Sequence, residues 1–125
     1  EKGSLKGILW HQGESDAFLE KIPGYEDKLK TLFQFFRSYP EKENLPIVCG
    51  ELGSFSTGRE RNILWEMINS KIEEVEHLDP NLILVRTEDL KAKSDNVHFN
   101  AQSQRTLGIR YAKAYLQLID SNSKI

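Results

Sequence analysis

Two kinds of apolar pattern alternate along this chain, and that alternation constrains the fold more than any other feature. Short apolar-rich runs stand at Leu5–Trp10, Pro46–Gly50 and Leu82–Thr87. None alternates apolar with polar residues. Unbroken stretches such as Ile47-Val48-Cys49 and Leu82–Val85 suit strands buried on both faces, as in a parallel sheet covered by helices. Between and after them lie longer segments with helical spacing. Tyr25, Leu29, Leu32, Phe33 and Phe36 predict a helix over Tyr25–Ser38, closed by Pro40. Leu64, Ile68, Ile72 and Val75 predict a second over Arg59–Leu78, with Trp65 and Met67 near its flank. Asp79-Pro80 ends it, because the residue before proline is pushed out of the helical region. Leu107, Tyr111, Ala114, Tyr115 and Leu118 predict a third over Ala101–Ile119, with Asn100 as N-cap. Ser121–Ile125 is expected to fray.

The order β-α-β-α-β-α predicts an α/β domain with right-handed crossovers and a parallel sheet. Three strands make a thin sheet, and Leu5–Trp10 at its edge would expose apolar backbone. Residues 1–125 are therefore expected to be the C-terminal portion of a single larger domain, with N-terminal strands missing. The isolated piece is expected to associate with copies of itself or to be marginally stable.

Composition narrows the classes. Lys+Arg number 17 and Asp+Glu 19, a formal charge of −2, so no basic excess points to a nucleic-acid partner. Hydrophobic residues at 38% support a packed core. No apolar run approaches the roughly 18 residues of a membrane span, so no membrane partner is expected. The single Cys49 permits no internal disulfide and no four-cysteine zinc site. The compartment stays open between cytoplasm and secretion, since a signal would lie upstream.

Ligands of open parallel sheets bind outside the carboxyl ends of the strands. The segments that follow the three strands are His11-Gln12-Gly13-Glu14-Ser15-Asp16, Gly50-Glu51-Leu52-Gly53-Ser54 and a loop holding Asp95-Asn96-Val97-His98. All three must open on one edge. A carboxylate three residues before an imidazole can accept from Nδ1–H, which fixes the tautomer and leaves Nε2 as a base. Gln12 has an amide that can donate to a developing oxyanion. Glu14 and Asp16 could orient a base, contact substrate hydroxyls or cap the turn. A metal site from His11, Glu14, Asp16 and His98 has suitable ligand types but no recognised spacing. Cys49 inside an apolar strand reads as a buried inert thiol. His77 at a helix end, Trp65 and the Phe33/Phe35/Phe36 group read as structural, and Arg59 and Arg61 as a solvated helix start.

Gly7-Ile8-Leu9-Trp10-His11-Gln12-Gly13-Glu14-Ser15-Asp16 resembles the W-x-Q-G-E-S-D block of the sialate O-acetylesterase-like carbohydrate esterases, within the SGNH hydrolases. These are similar to the acetylxylan esterases of carbohydrate esterase family six. Asp95-Asn96-Val97-His98-Phe99 resembles their D-x-x-H block. The resemblance implies a flavodoxin-like three-layer α/β/α fold and a Ser-His-Asp esterase acting on an acetylated carbohydrate, with no cofactor and no metal. It implies His98 as base, Asp95 as its acid with Glu14 competing for that role, and Gln12 as an oxyanion donor. His11, Ser15 and Asp16 are left as substrate contacts. The family's G-Q-S-N nucleophile turn has no counterpart in this sequence, and neither Ser15 nor Ser54 sits in a nucleophile elbow. Activity is thus expected to need the rest of the domain. The alternative is a degenerate, non-catalytic module that binds a glycan or pairs with another chain. Loops Ala17–Gly24 and Leu52–Gly58 would select the sugar.

Overall fold

The structure, a computed structural model, describes residues 2–39, 41–56 and 58–124. Its elements are β1 (Ile8–Trp10), a single 3₁₀ turn (Glu14–Asp16), α1 (Tyr25–Ser38), β2 (Ile47–Gly50), α2 (Arg59–Leu78), β3 (Leu82–Val85) and α3 (Ala101–Ser123). The expected closure of α1 at Pro40 lies outside the described residues. The strands are all parallel and stand in the order β1-β2-β3, with Ile8 beside Ile47 and Ile47 beside Leu82.

The side-chain period of two sorts the strand residues into two cores. Ile47, Cys49, Leu82 and Leu84 face α1 and α2, where Phe33, Ile68 and Ile72 are almost fully buried. Val48, Ile83 and Val85 face α3, against Leu107, Ala114 and Leu118. The two crossover helices share one face because the strand order advances in one direction. Helices therefore cover both faces of a parallel sheet, the three-layer arrangement that the unbroken apolar runs predict.

Several details depart from the sequence reading: β2 starts at Ile47 and not Pro46, β3 ends at Val85 and not Thr87, and α3 runs past Ile119 to Ser123. The first strand is shorter than Leu5–Trp10. The carbonyls of Leu5 and Lys6 instead accept from side chains, Lys42 Nζ at 2.6 Å and Tyr115 Oη at 3.1 Å. Burial on both faces fails at β1, where Leu9 is 62% exposed, because α3 packs mainly on β2 and β3. Trp65 lies in the core and meets Phe55 edge-on, whereas Met67 and Phe35, the latter read with Phe33 and Phe36, are exposed. The end of α3 does not fray at Ser121, since Asn122 Nδ2 donates to Asn81 Oδ1 at 3.0 Å and ties the last turn to the start of β3. Asn100 caps α3 as expected, accepting from the Ser103 amide at 2.8 Å.

Among the described residues, no helix is long and apolar enough to cross a membrane.

Candidate active site

Parallel strands bring their carboxyl ends to one edge, and side chains from all three meet there. His11 follows β1 and its Nε2 lies 2.9 Å from the Glu51 carbonyl, which follows β2. A carbonyl only accepts, so Nε2 donates this bond, and in the neutral imidazole Nδ1 then holds the lone pair. The Glu51 carboxylate is buried and accepts from Arg86 at 2.7 Å and from the Thr87 amide at 2.9 Å, both beyond β3. Arg86 also reaches Glu73 on α2 at 2.6 Å. Glu51 thus ties the second and third strand ends together through its carboxylate and, through its backbone carbonyl, steadies the imidazole at the first. Sequence reading missed this role of Glu51. The available signal was a charged residue directly after a strand with no polar position.

The segment between β3 and α3 is built as a closed excursion. Ala92 pairs antiparallel with Phe99, and the Lys91 amide donates to Ser103 Oγ at 2.8 Å, so both arms are fastened to the start of α3. Phe99 is buried and packs edge-on against Phe55 and His11, at 5.0 and 5.6 Å between ring centres. That anchor leaves the preceding His98 at the surface.

Within the turn, Asp95 Oδ1 accepts from the amides of Val97 and His98, each at 3.0 Å, and Asp95 Oδ2 lies 2.7 Å from His98 Nδ1. Asn96 sits between them at φ 53°, a left-handed conformation that asparagine tolerates. Lys93 Nζ stands 3.5 Å from the same Oδ2. The His98 side chain, then the two amides and Lys93, hold the Asp95 carboxyl well below the usual carboxylate range. An ionised Asp95 accepts the proton on Nδ1, so His98 Nε2 is left with its lone pair. Glu14 makes no such bond to His98.

A cavity of about 320 Å³ opens beside this pair, with His11, Glu14, His98 and Phe99 in its wall and Gly108 and Tyr111 of α3 behind. The Tyr111 hydroxyl donates to the Trp10 carbonyl at 2.8 Å, at the last residue of β1, and burial raises its pKa. Of the residues singled out from sequence, His11, Glu14 and His98 line this one space, with Asp95 behind His98. Gln12 and Asp16 bind each other instead, Nε2 to Oδ2 at 2.8 Å. Ser15 is exposed and lines no part of the cavity, although its carbonyl accepts from Lys21 at 2.9 Å. Cys49 is fully buried, and burial pushes its thiol up to about 12. Among the described residues, no three His, Cys, Asp or Glu side chains converge to hold a metal ion.

A probable carbohydrate esterase of Arabidopsis thaliana is 29% identical over 115 residues, which is 91% of this chain and 41% of that protein. The X-ray structure of that Arabidopsis protein superposes with a TM-score of 0.79 at 28% identity, over 93% of this chain and 45% of its own. A crystal structure described as a novel carbohydrate acetylesterase from Xanthomonas citri shares the fold, with a TM-score of 0.69 at 20% identity, over 89% of this chain and 25% of that one. The chain spans less than half the length of each of these relatives, and its architecture is part of a flavodoxin-like α/β/α fold. Residues 1–117 match the family described as carbohydrate esterase, sialic acid-specific acetylesterase, and the chain belongs to that family.

Proposed function

We propose that this chain carries the base, the orienting acid and one oxyanion donor of an SGNH-type serine esterase that removes O-acetyl groups from a carbohydrate. In this reading the nucleophilic serine comes from another part of the same domain, in N-terminal strands that pair beyond β1. The observation that carries it is the Asp95–His98 pair at the wall of a cavity on the carboxyl edge of the sheet. Family membership supports the carbohydrate esterase class.

The chemistry follows from the tautomer. The serine hydroxyl proton passes to His98 Nε2 as its oxygen bonds to the acetyl carbon. The tetrahedral intermediate collapses, the bond to the sugar oxygen breaks, and His98 returns the proton to that oxygen. Water then repeats the sequence on the acetyl-enzyme and releases acetate. Asp95, held ionised, steadies the imidazolium of both steps. Gln12 does not itself line the cavity but follows His11, which does, and in this reading supplies an N–H to the oxyanion. Losing one such donor typically costs about 2.7–4 kcal/mol of barrier. His11, which lines the cavity, presents its Nδ1 to the substrate. No step calls on a metal or cofactor.

The test is His98→Ala in the full-length protein with p-nitrophenyl acetate and an acetylated sugar. Hydrolysis should fall to near background for both. Turnover close to that of the parent would refute the base. Residues 1–125 alone should be inactive, and substantial activity there would place the nucleophile inside this chain.

A further inference from the structure

The geometry points to Asp16 as the residue that sets the orientation of the Gln12 amide, so that its N–H face and not its carbonyl is offered to the oxyanion. This rests on the esterase reading above and on Gln12 as donor. A glutamine amide has two ends of almost equal shape and opposite hydrogen-bonding character, and rotation by half a turn exchanges them. If the carbonyl end faced a developing oxyanion, the donor would become a repulsive acceptor.

Asp16 removes that ambiguity. Its Oδ2 lies 2.8 Å from Gln12 Nε2. A carboxylate has no hydrogen to give, so only the NH₂ end of the amide can face it. One N–H is spent on Asp16, and the second on the same nitrogen stays free. Charge assistance makes this bond stronger than one between neutral groups.

Both partners are held by backbone that cannot relax away. The Asp16 amide donates to the Gly13 carbonyl at 3.0 Å, and its own carbonyl accepts from Phe18 at 2.8 Å, which fixes the 3₁₀ turn. The Gln12 carbonyl accepts from the Tyr25 hydroxyl at 3.3 Å. Gly13 between them has φ 150°, and a Cβ there would stand 2.8 Å from Ile68 Cγ2. The turn is thus pressed onto α2 with both side chains on it defined. Asp16 is therefore a positioning residue, acting through Gln12 and not on the sugar. Glu14, in the same turn, differs in lining the cavity itself.

The experiment is a double-mutant cycle in the full-length protein with p-nitrophenyl acetate, reading kcat and KM apart. Gln12→Ala should lower kcat by roughly 10²–10³. Asp16→Ala should lower kcat on the order of 10-fold with KM unchanged, since the amide keeps its donor but loses its orientation. The double variant should be no slower than Gln12→Ala. Asp16→Asn, which keeps an acceptor oxygen in place, should recover part of the loss, and it carries the same cycle if Asp16→Ala fails to fold. Independent losses that multiply would overturn the inference. So would a raised KM at constant kcat, the mark of a direct substrate contact, or an unchanged kcat. A parental kcat for Gln12→Ala would instead remove Gln12 as donor, while His98→Ala reports on the esterase reading separately.

Discussion

Asp95 and His98 stand three residues apart, and the turn between them does two jobs with one carboxylate. One oxygen closes the backbone by accepting two amides, and the other orients the imidazole. Because the Asp95 pKa is lowered on folding, the ionised form is favoured in the native state. Its stabilising contribution is complete above the ordinary Asp pKa of about 3.9 and is lost only as pH falls through the lower native value. Carbon-13 NMR of the full-length protein should find Asp95 ionised through the range where exposed carboxylates protonate. His98→Ala should move that titration upward, since the imidazole is the largest cause of the shift. An unmoved titration would show that the amides alone hold the carboxylate. This pair was legible in sequence because both partners lie within one turn. The Gln12–Asp16 bond was compatible with the spacing, but four residues apart in an irregular turn does not say which acid meets which amide. The His11–Glu51 contact spans 40 positions and left no local trace.

At the scale of elements, the helix boundaries of α1 and α2 coincide with their apolar periods. Glycine and tyrosine decide how α3 meets the strand ends. A Cβ on Gly50 would collide with the Tyr111 hydroxyl and stand 2.7 Å from His11 Cδ2, so only glycine lets the helix and the imidazole close over the end of β2. Gly50→Ala is expected to displace both side chains and to lower esterase activity of the full-length protein along with its melting temperature. Tyr111→Phe should be milder, costing about 0.5–1.5 kcal/mol by removing one hydrogen bond to Trp10. Ile72, fully buried between α2 and the sheet, should be the harsher change. Ile72→Ala is expected to cost about 2–5 kcal/mol in denaturant unfolding. The shortened first strand has an element-level cause too. Residues before Ile8 satisfy carbonyls with Lys42 and Tyr115 and so leave the ladder.

At the scale of the whole molecule, the sheet is unequal. Its middle strand is buried throughout, while β1 has an open edge with Leu9 exposed beside it. Ile109 and Leu116 on α3 and Phe35 on α1 are exposed as well. Exposed strand edges with apolar neighbours pair with other chains. Residues 1–125 expressed alone should therefore self-associate in analytical ultracentrifugation, and Leu9→Lys should shift the population toward monomer. A cooperatively melting monomer without that substitution would contradict the expectation.

Apolar periodicity by itself determined the order of strands and helices, because burial on one or both faces is written into local spacing. The spacing of Asp95 and His98 also allowed their pairing to be read locally, since a turn is a local object. Tertiary structure alone decided that Glu51 would link three strand ends, that Phe99 would hold His98 at a cavity wall and that Asp16 would turn toward Gln12. Each of these depends on the approach of segments that share no local pattern, and the packing of the sheet against α2 and α3 selects one arrangement from the many that the same residue types allow.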